Sequence, residues 1–173
     1  MPNVQKDKLI AWEVFHEGTR KMGLASADLP EIGFITEELK GAGIAGTIDM
    51  PTPGQVESME LKLTWRVIAG DRSELLEQRT HNITLRQANQ HYDAGTGRFK
   101  VEPVVIDVRG IPKGSESGSL EGASHVEATN TFECVYYKET VGGKVKTEID
   151  KLNDICVING VDMLADVRSA LGI

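Results

Sequence analysis

The sequence predicts a mainly β protein of the α+β class, because alternating segments dominate it and only two short segments favour a helix. Residues 58–67 alternate strictly between polar and apolar side chains. A period of two places one set of side chains on a buried face of a strand and the other set on a solvent face. The apolar set comprises Met59, Leu61, Leu63, Trp65 and Val67.

Residues 123–137 form a second alternating segment, whose β-branched and aromatic side chains favour a strand. Gly142-Gly143 then predicts a tight turn into a further alternating strand over residues 144–150, so the two strands should form a hairpin. The apolar face of the first strand is interrupted by Asn130 and otherwise carries Val126, Ala128, Phe132, Cys134 and Tyr136.

Further strands are expected over residues 83–92 and 99–109, joined by a turn over residues 93–97. Pro103 cannot donate a backbone hydrogen bond, so it should lie at an edge position or a bulge. A weaker apolar segment, residues 9–15, adds one more strand.

Two short helices complete the predicted elements. Residues 71–79 begin with Asp71 and carry Glu74 three positions later, a spacing typical of a capped helix N-terminus. This helix has few apolar residues and should lie on the surface. Residues 161–171 form the second helix, which Gly172 should end.

Length and charge limit the classes of protein. A chain of 173 residues suits one domain, residues 1–173, and 40% hydrophobic content argues against disorder. Against 19 Lys and Arg stand 26 Asp and Glu, and a net charge of -7 argues against stable binding of nucleic acid or an anionic membrane. No apolar run suits a membrane span or a signal peptide, so Cys134 and Cys156 are expected to be reduced cytosolic thiols.

Two segments, residues 41–54 and 111–124, are rich in Gly, Pro and Ser and are expected to be loose loops. The first contains Gly41-Ala42-Gly43-Ile44-Ala45-Gly46, which matches the G-x-G-x-x-G fingerprint of dinucleotide sites. No buried strand precedes this motif, and the prolines after it prevent a helix, so flexible loop glycines explain it better. The histidines lack metal-ligand spacing and no catalytic constellation is present, so no enzyme activity, cofactor or metal is expected.

The most informative motifs lie in the C-terminal third, and further matches precede them in order along most of the chain. The C-terminal set is Glu148-Ile149-Asp150, Asn153, Asn159-Gly160-Val161-Asp162, Arg168 and Leu171-Gly172-Ile173. The preceding set is Gly41-Ala42-Gly43 with Gly46, Ser58-Met59-Glu60, and Val108-Arg109-Gly110 with Lys113. Together these motifs resemble the major tail tube proteins of contractile-tailed phages and related tailocins.

The resemblance implies an antiparallel β-sandwich or barrel-like fold with a flanking helix, whose strands join a hexameric lumen barrel. Stacked rings would form a hollow tube inside a sheath, which drives the tube through the bacterial envelope for DNA delivery or pore formation. The implied partners are further copies, the tail sheath protein, the tape measure protein and the baseplate or tube initiator. DNA would be present only in transit, in a phage, and an acidic wall that repels phosphates suits such passage. The implied location is the virion or tailocin particle, assembled in the host cytoplasm.

The resemblance also suggests roles for polar residues on the two alternating strands and for the loose segments. Polar faces that simply meet bulk solvent explain the alternation alone equally well, and a shift of one residue would reverse the faces. The candidates for the lumen lining are Ser58, Glu60, Lys62, Thr64, Glu127, Thr129, Thr131 and Glu133. The candidates for subunit and ring contacts are Gly41, Gly43, Gly46, Pro51, Pro53, Arg109, Lys113, Ser115, Glu116 and Leu120.

A different class of protein remains open at this point, namely a small soluble β-rich module that binds a ligand or protein through its Gly-rich loops. Electron microscopy separates the two classes, because a tube subunit should form rings or tubes when an initiator is supplied.

Overall fold

The computed structural model describes residues 4–21 and 23–172; Met1, Pro2, Asn3, Met22 and Ile173, and the predictions that touch them, lie outside the described residues. The first half of the chain forms β1 (Val4–His16), β2 (Thr19–Lys21), β3 (Leu24–Asp28), β4 (Phe34–Leu39), β5 (Ile48–Val56), β6 (Glu60–Trp65) and α1 (Gly70–Glu74). The second half forms β7 (His81–Asp93), β8 (Arg98–Glu116), β9 (Ala128–Val141), β10 (Lys144–Asp150), β11 (Ile155–Ile158), β12 (Val161–Asp162) and α2 (Ala165–Leu171).

The fold is built on one antiparallel sheet that folds over a core. Its strands run in the order β12-β11-β10-β9-β8-β7-β1-β2, and a branch, β9-β6-β3, extends from the first half of β9. The prediction of a mainly β, antiparallel sandwich or barrel with short helices is therefore confirmed. The largest fully buried side chains are Trp65, Phe132, Met59, Leu61, Leu63, Leu75, Ile83, Leu85, Ile149, His16, His81 and Val14.

Strand β6 shows why the strict alternation of residues 58–67 was informative. Its predicted apolar side chains from Met59 to Trp65 are buried, because this face is directed into the core. Val67 was assigned to the same face, and this prediction is wrong. The strand ends at Trp65, and Val67 lies in the following bend with an exposed side chain.

Strand β9 reverses its faces partway along. A register shift in its pairing with β8 lies between the pairs Arg109–Tyr136 and Gly110–Cys134. Such a bulge moves the following residues to the other face. Tyr137 is therefore buried, while Tyr136, which was predicted on the apolar face with Cys134, lies on the outer face.

The predicted hairpin and the position of Pro103 follow from backbone chemistry. Gly142 and Gly143 have φ values of 55° and 79°, as the two central residues of a tight hairpin turn require. The carbonyl of Pro103 accepts a hydrogen bond of 2.9 Å from the N–H of Gly142. A strand residue directs its nitrogen and its carbonyl to the same side, so the missing N–H faces the end of β9 and costs no ladder bond.

Both helices differ from their predicted forms. Helix α1 begins after Ala69, and no side chain caps it, so the prediction of Asp71 as the N-cap is wrong. The prediction that this segment lies on the surface is also wrong for Leu75, which is buried. Helix α2 begins only at Ala165, because residues 161–162 pair with β11, and Gly172 ends it in the left-handed conformation as predicted.

Roughly half of each predicted loose loop is an ordered strand. Residues 34–56 form a two-stranded hairpin, β4–β5, which we call the arm, so the prediction of a loop over residues 41–54 is wrong from Ile48 onward. Residues 111–116 continue β8, which leaves a loop only over residues 117–127. Pro51 and Pro53 are tolerated in β5 because the arm has two open edges.

Candidate functional site

The outer face of β6 and β9 gathers most of the residues predicted to line a lumen. Antiparallel pairing places six of them side by side on this polar face, so the predicted alternation is correct here. The opposed pairs are Glu60 with Glu133, Lys62 with Thr131, and Thr64 with Thr129.

Electrostatic pairing neutralises much of the charge on this face. Glu60 forms an ion pair with Lys113, and Glu133 accepts hydrogen bonds from Ser58 Oγ at 2.6 Å and Lys151 Nζ at 3.1 Å. Burial by itself would raise the pKa of the Glu133 carboxyl. The hydrogen bonds from Ser58 and Lys151 outweigh burial, so its pKa is lowered and the group stays ionised.

Two residues of the predicted lumen set do not lie in the open part of this face. Glu127 precedes β9 and has a φ of 56°, outside the alternation of the strand. Thr129 is only 5% exposed, and its hydroxyl has no hydrogen-bond partner. The open part of this outer face therefore centres on Glu60, Lys62, Thr64 and Thr131.

The outer face continues across β8 with Arg109, a predicted contact residue, and with others that the sequence did not single out as a site. The Arg109 guanidinium lies 4.2 Å from the centre of the Tyr136 ring, and the Tyr136 hydroxyl donates a hydrogen bond of 2.8 Å to Glu148. Thr84 donates one of 2.7 Å to Asp107. Burial, reinforced by the bond to Glu148, raises the pKa of Tyr136 to about 12. The sequence did not predict this extension. Strict alternation from Phe132 places Tyr136 on the buried face, whereas the bulge in β9 turns it to the outer face.

The arm is amphipathic. Glu38 and Asp49 lie opposite each other on one side, and alternation places Ile35, Leu39, Ile48 and Met50 on the other. These four apolar side chains are between 44% and 48% exposed. The glycines Gly41, Gly43 and Gly46 form the tip with positive φ angles, and Pro51 and Pro53 lie in β5. The arm therefore exposes an apolar face that solvent does not favour.

The root of the arm is fixed to the body of the protein. The N–H of Glu57 donates a hydrogen bond of 2.9 Å to the carbonyl of Gly33. At Gly54, φ is 70°, and a Cβ atom built there would lie 2.4 Å from Cδ2 of Leu164. The close approach to the N-terminus of α2 therefore needs a glycine at this position.

The remaining contact candidates lie on β8 and in the loop after it. Arg109 and Lys113 are on the outer face, where each already has an intrachain partner. Ser115 donates a hydrogen bond of 2.5 Å to the carbonyl of Thr129, and Glu116 ends β8 opposite Thr129. Leu120 is 86% exposed and is the most available of this group for an intermolecular contact.

The C-terminal motif residues build turns and an anchor for α2. Asp150 accepts hydrogen bonds from the backbone of Leu152 and Asn153, which closes the turn after β10. Arg168 forms an ion pair with Asp162, which holds the pKa of that carboxyl below its usual range, and donates a hydrogen bond of 2.7 Å to the carbonyl of Asp154. These residues determine the shape of the sheet end.

Chemistry outside these surfaces is limited in residues 4–21 and 23–172. The G-x-G-x-x-G match lies at the tip of the arm between two strands, with no helix after it. No cluster of three or more His, Cys, Asp or Glu side chains in this part of the chain could hold a metal ion. Neither described helix is long and apolar enough to cross a membrane. Both cysteines are free and buried, and burial raises the pKa of the Cys134 thiol to about 12.

The antiparallel fold, the polar sheet face and the exposed arm together define a β-rich assembly protein. The chain belongs to the phage tail tube protein FII family, whose model matches residues 6–172. The tail tube protein of Escherichia phage P2 is 28% identical over 176 residues, which cover 96% of this chain and 97% of that protein.

Solved structures show the same fold. The sheath/tube terminator of an extracellular contractile injection system, PVC, superposes with a TM-score of 0.55 at 16% identity, over 78% of this chain and 96% of that one. A chain of the PVC sheath–tube complex gives a TM-score of 0.50 at 20% identity, over 75% and 87%.

The predicted tail tube function is confirmed at the level of the family. The chain is a structural, non-enzymatic tail tube protein and a component of a phage-type tail particle. The alternative of a small ligand-binding module is therefore set aside. The resemblance found in the scattered motifs was correct, although their individual residues serve turns and anchors.

Proposed function

We propose that this protein assembles as hexameric rings that stack into the hollow inner tube of a contractile tail. The amphipathic arm carries this proposal, because an isolated two-stranded hairpin with an exposed apolar face is marginal in water. Contact with another copy would bury that face and remove its open edges. The contact set therefore centres on the arm, with Leu120 as an additional contact.

The outer face of β6 and β9 lines the lumen in this proposal. If each of six subunits gives four strands, a barrel of ~24 strands spaced ~4.8 Å apart and tilted ~40° is roughly 48 Å across, which leaves space for duplex DNA inside the side chains. The paired charges of Glu60 with Lys113 and of Glu133 with Lys151 suit such a wall. Each lysine held in such a pair is one cation fewer that could hold a passing phosphate backbone.

The partners follow from the same assembly. The tube is surrounded by a sheath protein, begins on a baseplate or tube initiator, and encloses the tape measure protein until ejection. In a phage the tube conducts DNA, and in a tailocin it forms a pore in the envelope. The shared fold with a PVC sheath/tube terminator and with a chain of the PVC sheath–tube complex supports the sheath partner.

Negative-stain electron microscopy of the purified protein, with and without initiator, tests the assembly. We expect rings or tubes of uniform width. A strictly monomeric species at high concentration with the initiator present would overturn the proposal.

A labelling experiment tests the lumen assignment. Thr131→Cys should react with a large maleimide polymer as a monomer and be protected in assembled tubes, because the polymer cannot enter the channel. Ala170→Cys on α2 serves as the control outside the sheet face, and the native cysteines are buried. Equal labelling of Thr131→Cys before and after assembly would contradict a lumen position.

A further inference from the structure

A cleft runs between β1 and β3, two strands that are neighbours in space but do not pair with each other. Its central part has a volume of about 340 Å³ and an apolar lining in which Leu85 belongs to the core. The lining side chains that define it are Leu9, Trp12, Ala25, Ala27, Leu29 and Leu85.

Both walls of the cleft have open strand edges in the described part of the chain. Strand β2 pairs with β1 only from Val14 to His16, so the outer edge of β1 is unpaired over residues 4–13. Strand β3 pairs only with β6. An extended segment that enters the cleft therefore meets unpaired backbone groups on either side, as in recognition by strand addition.

One end of the cleft is basic. Trp12 and Ala25 line both the central part and an adjoining part of about 250 Å³. This adjoining part is bordered by Arg20, Lys21 and Arg66. Arg20 is engaged with Glu13, and Lys21 with Glu74, whereas Arg66 is exposed where β6 has ended.

We propose that this cleft receives the arm of a second copy of the chain, with the arm's apolar face against its apolar lining and Glu37 paired with Arg66. This proposal rests on the proposed tube assembly and names the surfaces that join its subunits. Glu37 is the one charged residue that alternation places among the apolar side chains of the arm, from Ile35 to Met50. A carboxylate carried into a largely apolar contact needs a cationic partner, and Arg66 at the basic end supplies it.

The arm of the same chain is directed elsewhere. Its root packs against Leu164, beside the β10–β11 end of the sheet, where Gly54 and Val56 share a small cavity with Ile149 and Ile155. The cleft lies beside β1, and β9, β8 and β7 separate the two ends in the sheet order. Arm and cleft are thus different surfaces on one molecule, and such a head-to-tail contact generates a ring or a filament.

Charge reversal tests the predicted pair in tube assembly. Glu37→Arg alone and Arg66→Glu alone should each reduce the yield of tubes at least tenfold, and the double variant should restore it. Glu38→Arg, on the opposite face of the arm, is the matched control and should assemble normally. Circular dichroism of the monomers confirms that each variant is folded. Full assembly of both single variants, or no rescue in the double variant, would overturn the proposal.

Cross-linking tests the contact directly. Met50→Cys protein and Ala25→Cys protein, mixed during assembly, should form a disulfide-linked dimer, whereas Asp49→Cys on the polar face should not form one with Ala25→Cys. Tubes that assemble from the mixture without this cross-link would refute the arm-in-cleft contact and leave the tube function intact. Absence of any ring or tube from the unmodified protein with its initiator would instead refute the tube function. A cross-link within single dilute chains carrying both cysteines would also overturn the proposal.

Discussion

Nε2 of His16 lies 2.9 Å from Nδ1 of His81, and both imidazoles are buried. Nε2 of His81 lies 3.0 Å from the carbonyl oxygen of Glu77, which can only accept, so this nitrogen carries the proton. Nδ1 of a neutral His81 must then accept the hydrogen bond from Nε2–H of His16. The pair thus joins the end of β1 to the start of β7 and to the segment after α1.

This pair predicts that stability falls in mild acid. Burial lowers the pKa of His16 from its ordinary value of 6.5. The carboxylates of Glu74, 3.5 Å from Nδ1 of His16, and of Glu17 act in the opposite direction and raise this pKa, whereas His81 and Lys21 lower it further. Below that ordinary value the unfolded chain binds a proton at His16 more readily than the folded chain. The free energy of unfolding should therefore decrease as pH falls below about 6.5, with a slope of up to ~1.4 kcal/mol per pH unit for this one proton.

Chemical denaturation between pH 7 and pH 5 measures this slope. His16→Gln keeps a nitrogen donor for His81 but cannot titrate, so the slope should become shallower. His125→Gln, at an exposed histidine, is the matched control and should leave the slope unchanged. An unchanged slope in His16→Gln would show that the buried pair does not couple folding to pH.

The backbone geometry at Gly118 predicts that the loop over residues 117–127 adopts one defined conformation. Its φ is 73°, and a Cβ atom there would lie 1.9 Å from the carbonyl oxygen of Val126, which also accepts a 2.9 Å hydrogen bond from the N–H of Ser119. Gly118→Ala should lower the free energy of unfolding by roughly 1–3 kcal/mol, because the backbone strain cannot relax without breaking the loop.

The control for this loop is Gly122→Ala, where a Cβ atom would meet open space and φ is not in the left-handed region. This variant should change stability little. Equal melting temperatures for Gly118→Ala and the unmodified protein would mean that the loop is as loose as its composition suggested.

The fold was predictable where the alternation was local and uninterrupted. Residues 58–65 show a regular period of two that the burial of β6 follows, and the turn at Gly142-Gly143 determines one backbone geometry. The arm was not predictable in this way, because Pro51 and Pro53 argue against a strand, and no local signal shows that both of its edges are open. Open edges are a property of the whole topology.

The candidate site was predictable only in part for a related reason. Glu60, Lys62, Thr64, Thr131 and Glu133 were correctly placed on one face because strand parity is local. The burial of Thr129 and the outward turn of Tyr136 depend on neighbouring strands and on a bulge, which composition does not encode. The cleft between β1 and β3 could not be predicted from the sequence, because it exists only since these two neighbouring strands do not pair with each other.

Asn130 predicts a stability effect that its polarity alone would not suggest. It interrupts the apolar face of β9 because its Oδ1 accepts a hydrogen bond of 2.8 Å from the buried Nε1–H of Trp65. Asn130→Ala would leave that donor unpaired in the core and should lower the free energy of unfolding by about 1–3 kcal/mol. Thr131→Ala, at the next position but on the outer face, is the control and should cost much less. A loss no larger than that of Thr131→Ala, measured by urea denaturation, would refute the importance of this bond.

The close contact between Gly54 and Leu164 predicts that the arm is held at its root against the start of α2. Gly54→Ala would place a methyl group 2.4 Å from Cδ2 of Leu164 at a φ of 70°, so the arm root must move away from α2. We expect a loss of roughly 1–3 kcal/mol and faster proteolysis within residues 40–47 at the arm tip. Gly114→Ala, also in a strand but facing open space, is the control for the loss of a glycine.

The double variant separates the two causes of that effect. Leu164→Ala removes the atoms that the new methyl group would strike, but it leaves the backbone strain of a positive φ at position 54. The destabilisation in Gly54→Ala/Leu164→Ala should therefore be smaller than the sum of the two single losses by more than about 0.5 kcal/mol. Simple additivity would place the whole cost in the backbone and would show that the contact with α2 does not position the arm.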